Sequence, residues 1–496
     1  MIVTEHTGKF PHPLYEKHVL KPFFRDAQTY YYEPMLKANR AHSVMLAQCG
    51  IITRENARAL LAALAQVEAE GVAALVYQSG VEDLFFAMER RLIEIAGAEH
   101  GGNLQLARSR NDLGYALTRL SLRPLILTAI RHLHELRRAL LDFAEAHLET
   151  LMPGYTHTQP AQPTTMAHYI VGVCAGMERD TARLQQAHRV NNQSPLGAAA
   201  LTGTGFPVDR LLSARLLGFG GVMASTWDSI GASDNLTDVA AALTSLGVNL
   251  SRFTHDMLFR ATQESGAIRI DDSFIQISSI MPQKRNPVVL EHLRARISRM
   301  LSQAQGIVLQ CHNIPFGDTQ DIEDEIFPPL FGSLETSFEI LELYTAVMRT
   351  LHVNVAHLRE RAVSGFTTVT ELADSLVRTA GLPFRQAHRI VSGMVTHALK
   401  NGLSPQDLGA ALLADVAQEV IGRRVEVSDK FVQDALDPEQ FVLLRAGIGG
   451  AAPVATGQVL IAQREQLSAD IAWLNDAQAG LDNADHALDE AIAALM

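Results

Sequence analysis

One short segment carries the residues best suited to chemistry. From Ser278 to Pro287 it reads Ser-Ser-Ile-Met-Pro-Gln-Lys-Arg-Asn-Pro. It offers two adjacent hydroxyls, Ser278 and Ser279, followed by the cation of Lys284 and the amide of Asn286. A fixed cation and N–H donors both favour a bound anion. A proline-bounded turn between helices is the structural alternative. The segment therefore predicts a proton-handling loop that grips a carboxylate.

A second polar segment, Arg108–Asp112, stands just before a long apolar-periodic run. Ser109, Arg110 and Asn111 supply hydrogen-bond donors without apolar bulk. The first backbone N–H groups of a helix add further donors for an anion. The same residues also suit an ordinary helix cap, which is the structural alternative.

The third segment, Met152–Pro163, is rich in proline and polar residues, and it predicts a kinked loop between helices. It presents Thr156 and His157 side by side. A lone histidine is more often structural than catalytic. A histidine in a polar loop fenced by prolines is equally well placed for proton transfer, and both roles stay open.

Glu291 is the fourth candidate, four residues after Pro287 and in the first turn of the next predicted helix. A helix dipole favours a carboxylate at this position, and that alone explains the residue. The carboxylate could also orient a histidine from another segment and stabilise its charged form.

These parts together suit the elimination of an amine from a carbon skeleton that bears carboxylates. A base removes the proton next to one carboxylate, and Lys284 and Asn286 suit the aci-carboxylate that forms. His157, held by Glu291, suits protonation of the departing nitrogen. The reaction requires no metal, flavin or nicotinamide, and no Walker A or dinucleotide glycine pattern is found.

The elements that must position these residues follow a helical period. Apolar residues recur three and four apart in five long runs, which cover about 122–151, 164–191, 229–263, 288–311 and 333–361. Such lengths are typical of helices that pack side by side in a bundle or against another subunit. Shorter helical patterns and a glycine-rich break at 447–450 follow. We therefore predict an all-α protein with an N-terminal lobe (1–112), a central long-helix bundle (113–362) and a C-terminal lobe (363–496).

Bulk composition narrows the class of protein. The 496 residues exceed one hydrophobic core. A formal charge of −12 argues against nucleic acid and anionic membrane surfaces as partners. The three cysteines show no zinc or CxxC spacing, which fits a reducing compartment. The start, Met1–His6, lacks the features of a secretory signal, and no apolar run reaches membrane-spanning length. We expect a cytoplasmic protein.

The four segments, in this order, resemble those of the argininosuccinate lyase family in the fumarase/aspartase superfamily. The Met-Pro-Gln-Lys string at Met281–Lys284 is similar to that branch in particular. The resemblance covers nearly the whole chain. It extends to Glu82–Asp83, Glu89–Leu92, Pro195–Gly197, Phe206–Arg210, Thr370–Asp374 and Gly449–Gly450 with Pro453.

The resemblance implies an all-helical three-lobe fold and a homotetramer whose active sites each draw on three subunits, with no cofactor and no metal. It implies a carbon–nitrogen lyase that releases fumarate from an N-substituted L-aspartate, by default argininosuccinate. By position, Ser278 matches the family's base, and His157 with Glu291 its proton donor. The substrate-binding positions implied are Ser109, Arg110, Asn111, Thr156, Ser279, Met281, Lys284 and Asn286.

Several residues depart from the family's usual pattern. Ile277 stands where glycine is usual, Val288 where aspartate is usual, and Leu113 where glutamine is usual. In the segment Pro315–Glu325 the usual tyrosine is absent, Ile322 takes the place of a glutamine and Glu325 that of a lysine. Losing polar partners for a polar substrate carries a large specificity penalty. We therefore keep an aminopolycarboxylate, such as iminodisuccinate or ethylenediamine-disuccinate, as the alternative substrate.

Two non-enzymatic alternatives also stay open. Members of the family have been recruited as crystallin-like structural proteins, which can lose site residues freely. A regulatory protein that binds a dicarboxylate is the other. The presence of Ser278, His157, Lys284, Asn286 and Glu291 speaks against the crystallin-like alternative.

Overall fold

A computed structural model describes residues 10–496. The expectation for Met1–His6 lies outside this range. The N-terminal part is helical, and a short π-helix, Glu16–Leu20, joins its first two α-helices. Its helices are α1 (Pro13–Tyr15), α2 (Lys21–Tyr30), α3 (Tyr32–Gln48), α4 (Arg54–Glu70), α5 (Leu84–Ala96) and α6 (Ala98–Gly101). Thr53 and Asp83 cap α4 and α5 by accepting backbone N–H bonds, which satisfies donors that a helix start leaves unpaired.

The central part is built on long helices joined by short ones. The long helices are α7 (Arg110–Ala146), α8 (Met166–Asn191), α11 (Asp234–Arg260), α12 (Val288–Cys311) and α14 (Phe327–Thr350). The short ones are α9 (Arg210–Leu216), α10 (Thr226–Gly231) and α13 (Gln320–Glu323).

The five long helices form a closed ring. In it α7 neighbours α8 and α14, α8 neighbours α11, and α12 lies between α11 and α14. Their facing leucines, isoleucines and alanines make one continuous core with the N-terminal helices. Burial of these apolar faces is the main term that stabilises the bundle. The all-α fold with a central long-helix bundle, predicted from the periodicity, is confirmed.

The helix bounds differ from the predicted runs in two places. The run at 229–263 is broken at Ala232, which is extended, so that α10 and α11 are separate helices. The run at 333–361 is broken at Leu351, also extended, where a short strand intervenes before the next helix. Apolar periodicity alone does not report such short breaks, because the apolar residues on either side keep the same spacing.

Three two-stranded antiparallel sheets complete the central part. They pair β1 (Leu151–Thr156) with β2 (Gln159–Thr165), β3 (Ile268–Arg269) with β6 (His352–Val353), and β4 (Gln276–Ile277) with β5 (Arg285–Asn286). The kinked loop predicted at Met152–Pro163 is therefore wrong, since the segment is a β-hairpin. Its prolines are accommodated by a register shift between Pro153 and Tyr155.

The C-terminal part contains a small core of its own, formed by buried residues between Leu372 and Leu436. Its helices are α15 (Val355–Val363), α16 (Val369–Ala380), α17 (Phe384–Asn401), α18 (Ala410–Ile421), α19 (Asp429–Leu436) and α20 (Pro438–Leu443). The final helix, α21 (Pro453–Leu495), returns along the bundle against α7 and α8.

Helix α21 contacts the rest of the chain both near its middle and at its C-terminal end. Arg137 of α7 is 1% exposed and donates to Asp470 of α21 at 2.5 Å. At the end of α21, the guanidinium groups of Arg54 and Arg58 donate to the carbonyl of Leu495, where cations complement the helix dipole. We propose that α21 belongs structurally to the central bundle, and the lobe boundaries at 112 and 362 stay predictions. None of the helices between residues 10 and 496 combines the length and hydropathy of a membrane-spanning helix.

Candidate active site

The Ser278 loop is a β-hairpin connection between β4 and β5, and it leads directly into α12. The Ser278 hydroxyl oxygen accepts the backbone N–H of Met281 at 3.1 Å and that of Ile280 at 3.4 Å. N–H donors aimed at an oxygen favour its anionic form. The loop therefore curls around one of its two serine hydroxyls and leaves Ser279 exposed.

The other predicted residues of this loop lie close to Ser278 in the chain and are largely open to solvent. Met281 and Lys284 are exposed, and Asn286 is half-buried in β5 opposite Gln276. Glu291 lies in the first turn of α12 and is exposed. The structure thus groups the base candidate, a cation, an amide and a carboxylate around one helix start.

His157 and Thr158 form the tip of the β1–β2 hairpin. Both have positive φ, 51° and 62°, although neither is glycine, and Thr156 pairs with Gln159 across the tip. Two positive φ values in a two-residue loop are the pattern of a type I′ turn, which favours asparagine and glycine. The tip holds Thr156 and His157 in solvent at some conformational cost, and such cost is often found at functional sites.

The predicted Ser109–Asn111 group starts α7, with Ser109 as its N-cap. The Ser109 hydroxyl donates to Asn111 Oδ1 at 2.9 Å, and Asn111 Nδ2 donates to the carbonyl of Ala200 at 3.2 Å. The helix-cap alternative therefore describes Ser109 correctly. It leaves open binding of an anion, because both side chains remain partly exposed.

Arg110 is engaged by acidic neighbours. Its Nη1 lies 2.8 Å from a carboxylate oxygen of Glu82 and 2.8 Å from one of Asp83. Its guanidinium also lies over the ring of Phe86. This residue was predicted to bind substrate, and within one chain its charge is already paired.

Asp112 is a residue of this region that the sequence left without a role. It is fully buried, and its carboxylate accepts the backbone N–H groups of Ser109, Gly197 and Ala199 at 2.9 to 3.0 Å. Burial raises its pKa to about 6, although the three N–H groups act in the opposite direction. Asp112 joins the start of α7 to the loop that Asn111 contacts.

Two further carboxylates lie beside the start of α7. Burial, together with neighbouring carboxylates, raises the pKa of Glu323 to about 8 and that of Asp324 to about 7. A Cβ added at Gly114 would lie 2.9 Å from Glu323 Oε1, so the carboxylate rests on bare helix backbone one turn after Asn111. An unexplained glycine inside a long helix was the available signal for this close approach.

The predicted residues form three groups, at the start of α7, at the tip of the β1–β2 hairpin and in the Ser278 loop. Helix α7 has 37 residues, so its ends are about 55 Å apart at 1.5 Å per residue. Even a fully extended connection from Ala146 to Thr156 covers only about 35 Å. Thr156 and His157 therefore lie at least about 20 Å from Ser109. No hydrogen bond or ion pair among residues 10–496 joins the Ser278 loop to either group.

The described part of the chain contains no group of three or more histidine, cysteine, aspartate or glutamate side chains arranged to hold a metal ion. What the segments offer is proton transfer at Ser278 and His157 and anion binding by N–H groups, amides and the Lys284 cation. These groups could serve as a general base, a general acid and a carboxylate-binding site.

Comparisons with known proteins agree with this chemistry. The family model described as lyase matches residues 25–303, and the model of the argininosuccinate lyase C-terminal region matches 366–443. The argininosuccinate lyase of Methanothermobacter thermautotrophicus is 38% identical over 85% of this chain and 90% of its own length. Argininosuccinate lyase 2 of Agrobacterium fabrum is 36% identical over 93% and 92%.

Solved structures give the same picture. EDDS lyase in complex with formate superposes with a TM-score of 0.87 at 31% identity, covering 97% of this chain and 95% of that protein. A class II fumarase from Schistosoma mansoni superposes with a TM-score of 0.67 at 15% identity over 85% of this chain and 90% of its own, a likeness of fold alone.

The five-helix ring, the segments at its ends and these matches define a carbon–nitrogen lyase of the fumarase/aspartase superfamily. Within that superfamily, the chain belongs to the argininosuccinate lyase family. The predicted family, enzyme class and fold are thereby confirmed.

Proposed function

We propose that this lyase eliminates fumarate from an N-substituted L-aspartate, with argininosuccinate as its first substrate. The observation that carries the proposal is the pair of N–H groups directed at the Ser278 hydroxyl oxygen. A free serine hydroxyl is a poor acid, so it serves as a base only where its alkoxide is stabilised. Two backbone donors supply part of that stabilisation without any rearrangement at the moment of reaction.

The reaction then runs in two steps. The Ser278 alkoxide takes the proton from the carbon next to one carboxylate, and the electron pair spreads into that carboxylate. Lys284 and Asn286 stabilise the resulting charge. The carbon–nitrogen bond breaks next, its electron pair goes to nitrogen, and His157 protonates the departing amine while Glu291 stabilises the imidazolium. Ser109, Arg110, Asn111, Thr156, Ser279 and Met281 hold the substrate.

The separation of the site segments supports a homotetramer. One chain keeps Ser109 and His157 at least about 20 Å apart, so a site that uses both must combine segments of different subunits. Mixing an S109A variant with an H157N variant tests this directly. Reassembled hybrids regain part of the activity if different chains supply the two residues, whereas segments from the same chain give none.

The acidic side chains near α7 favour a cationic leaving amine. Five of them interact with the guanidinium of Arg110, namely Glu82, Asp83, Asp318, Glu323 and Asp324. Even with Glu323 and Asp324 partly protonated, these acidic side chains attract a cation such as the guanidinium of arginine and repel additional carboxylates. Relatives that carry the name argininosuccinate lyase point the same way.

An aminopolycarboxylate remains the second candidate, because EDDS lyase superposes on 97% of the chain and Glu325 stands where the family usually has lysine. We also propose that the enzyme works in the cytoplasm, as expected for a chain with three unpaired cysteines.

The deciding experiment follows the ultraviolet absorbance of fumarate as the purified enzyme meets argininosuccinate, iminodisuccinate, ethylenediamine-disuccinate or aspartate. We expect fast release from argininosuccinate. Release only from an aminopolycarboxylate would replace the substrate and keep the mechanism. An S278A variant should form the same oligomer as wild type and release no fumarate, and unchanged activity would exclude Ser278 as the base.

A further inference from the structure

The hairpin that carries His157 is joined to the C-terminal lobe through a second histidine. His168, near the start of α8, has Nε2 3.1 Å from the carbonyl oxygen of Gly449 and Nδ1 2.8 Å from the Thr164 hydroxyl. A carbonyl can only accept, so Nε2 carries hydrogen and donates to Gly449. In the neutral ring Nδ1 then accepts from Thr164. One imidazole thus links β2 to the turn before α21.

The turn that receives His168 is itself held rigidly. Gly449 has φ +72°, and a Cβ at Gly450 would lie 2.1 Å from the carbonyl oxygen of Arg445, so both positions require glycine. Arg445 donates to the carbonyl of Phe441 at 2.6 Å and to Glu371 Oε2 at 2.8 Å. The Glu371 carboxylate is about 1% exposed and also binds Arg378. The turn is therefore anchored to a buried ion-pair network.

Other contacts tie the same hairpin to the same network. Gln162 Nε2 in β2 donates to the hydroxyl of Thr370, the neighbour of Glu371, at 3.2 Å. Leu151 at the start of β1 packs in a small apolar cluster with Phe441. Both strands of the hairpin thus rest on the lobe, whereas its tip is exposed. The direction in which His157 points is set from the base of the hairpin.

We propose that His168 is a positioning residue for His157, so that the C-terminal lobe fixes where the departing nitrogen is protonated. This inference rests on the proposed role of His157 as proton donor. It assigns no chemistry to His168 itself, whose ring is hydrogen-bonded to the Thr164 hydroxyl and to the Gly449 carbonyl. The role requires the ring to hold both partners at once.

The two-step reaction makes this role measurable. If the hairpin is displaced, removal of the carbon-bound proton by Ser278 continues, but breaking of the carbon–nitrogen bond slows. The intermediate then returns to substrate, and in D2O it takes up a deuteron at that carbon from the exchanged base. The ratio of deuterium in recovered substrate to fumarate released therefore rises. General loss of folded enzyme lowers both quantities equally and leaves the ratio unchanged.

The experiment compares full-length wild type with H168L, H168Q and H157N, using argininosuccinate in D2O. We expect H168L to lower fumarate release about tenfold or more, because a displacement of about 1 Å is enough for such a loss. Deuterium uptake should change less than about twofold. H168Q keeps an N–H donor for Gly449 and should recover most of the rate. H486L, at an exposed histidine of α21, is the matched control and should leave both quantities unchanged.

A second measurement does not depend on turnover. Amide hydrogen exchange over residues 151–165 should be faster in H168L than in wild type, while α7 keeps its protection. Equal loss of deuterium uptake and fumarate release in H168L, or unchanged amide exchange in the hairpin, overturns the inference. If H157N releases fumarate at the wild-type rate, the proposed proton donor is wrong, and the positioning role falls with it. If H157N is impaired but H168L lowers fumarate release and deuterium uptake equally, only the positioning role is wrong.

Discussion

The carboxylate of Asp112 accepts the backbone N–H of Gly197 at 2.9 Å, across 85 residues of sequence. The same oxygen accepts from Ala199, while the other oxygen accepts from Ser109. One buried side chain thus fixes the start of α7 against the loop whose Ala200 carbonyl receives Asn111. The geometry of a proposed carboxylate-binding group therefore depends on a fully buried carboxylate behind it.

Replacement of Asp112 by asparagine should destabilise the protein by roughly 1–3 kcal/mol, because an amide has one acceptor oxygen for three buried N–H donors. Urea unfolding followed by circular dichroism measures this. The KM for substrate should rise as the Asn111 loop loosens. Replacement of the exposed Asp482 by asparagine is the control, and equal stability of the two variants would contradict the role of Asp112.

The strained tip of the hairpin predicts that substitutions at two neighbouring positions both stabilise the protein and differ in their effect on activity. Thr158→Gly should raise stability by about 0.5–1 kcal/mol, because glycine adopts positive φ without strain, and it should keep most of the activity. His157→Asn should also stabilise the turn but abolish proton donation. Thermal unfolding and fumarate release measure the two effects. Destabilisation by Thr158→Gly would show that the tip is not strained.

Glu323 predicts a stability that depends on pH. Burial and nearby carboxylates raise its pKa in the folded chain to about 8, from 4.5 in an ordinary glutamate. The folded state therefore holds a proton that the unfolded state has lost between these values, and stability falls as pH rises through that window. Glu323→Gln should be more stable than wild type at pH 8 by up to about 4 kcal/mol, since each pKa unit is worth about 1.4 kcal/mol, and the two should be about equal at pH 4. Melting temperatures at both pH values decide it, and a difference independent of pH would contradict the assignment.

The pair formed by Arg137 and Asp470 tests whether α21 is part of the bundle. Asp470→Ala leaves the Arg137 guanidinium buried with Glu178 at 3.7 Å as its remaining carboxylate neighbour. We expect a loss of about 3 kcal/mol in the free energy of unfolding. Asp476→Ala, at an exposed position on the same helix, should have little effect. A loss of less than about 0.5 kcal/mol from Asp470→Ala would mean that α21 packs only loosely.

Much of this fold could be predicted because its long helices repeat apolar residues over many turns. Leu133, Leu136 and Leu140, for example, keep one buried face of α7 that no strand could match. The short breaks at Ala232 and Leu351 could not be predicted, since the apolar pattern continues across both of them. The hairpin at Met152–Pro163 was mistaken for a loop because its prolines suppress the usual strand signals.

The site was predictable in its parts and not in its arrangement. Ser278, Lys284 and Asn286 lie in one stretch, so their proximity follows from the sequence alone. The contacts of Asp112 with Gly197, and of His168 with Gly449, join residues 85 and 281 positions apart, and no local pattern reports such pairs. The raised pKa of Glu323 likewise depends on burial, which only the fold defines.

The length of α7 has a consequence for how this enzyme responds to dilution. In the proposed assembly, a folded protomer contains all the site residues but no complete site. The two ends of α7 hold Ser109 and His157 too far apart. Dissociation of the subunits would abolish activity while the helix content of each protomer stays unchanged. Activity would then fall more steeply than protein concentration, while circular dichroism stayed constant. The long helix α7, which stabilises each protomer, would therefore also prevent an isolated protomer from being active.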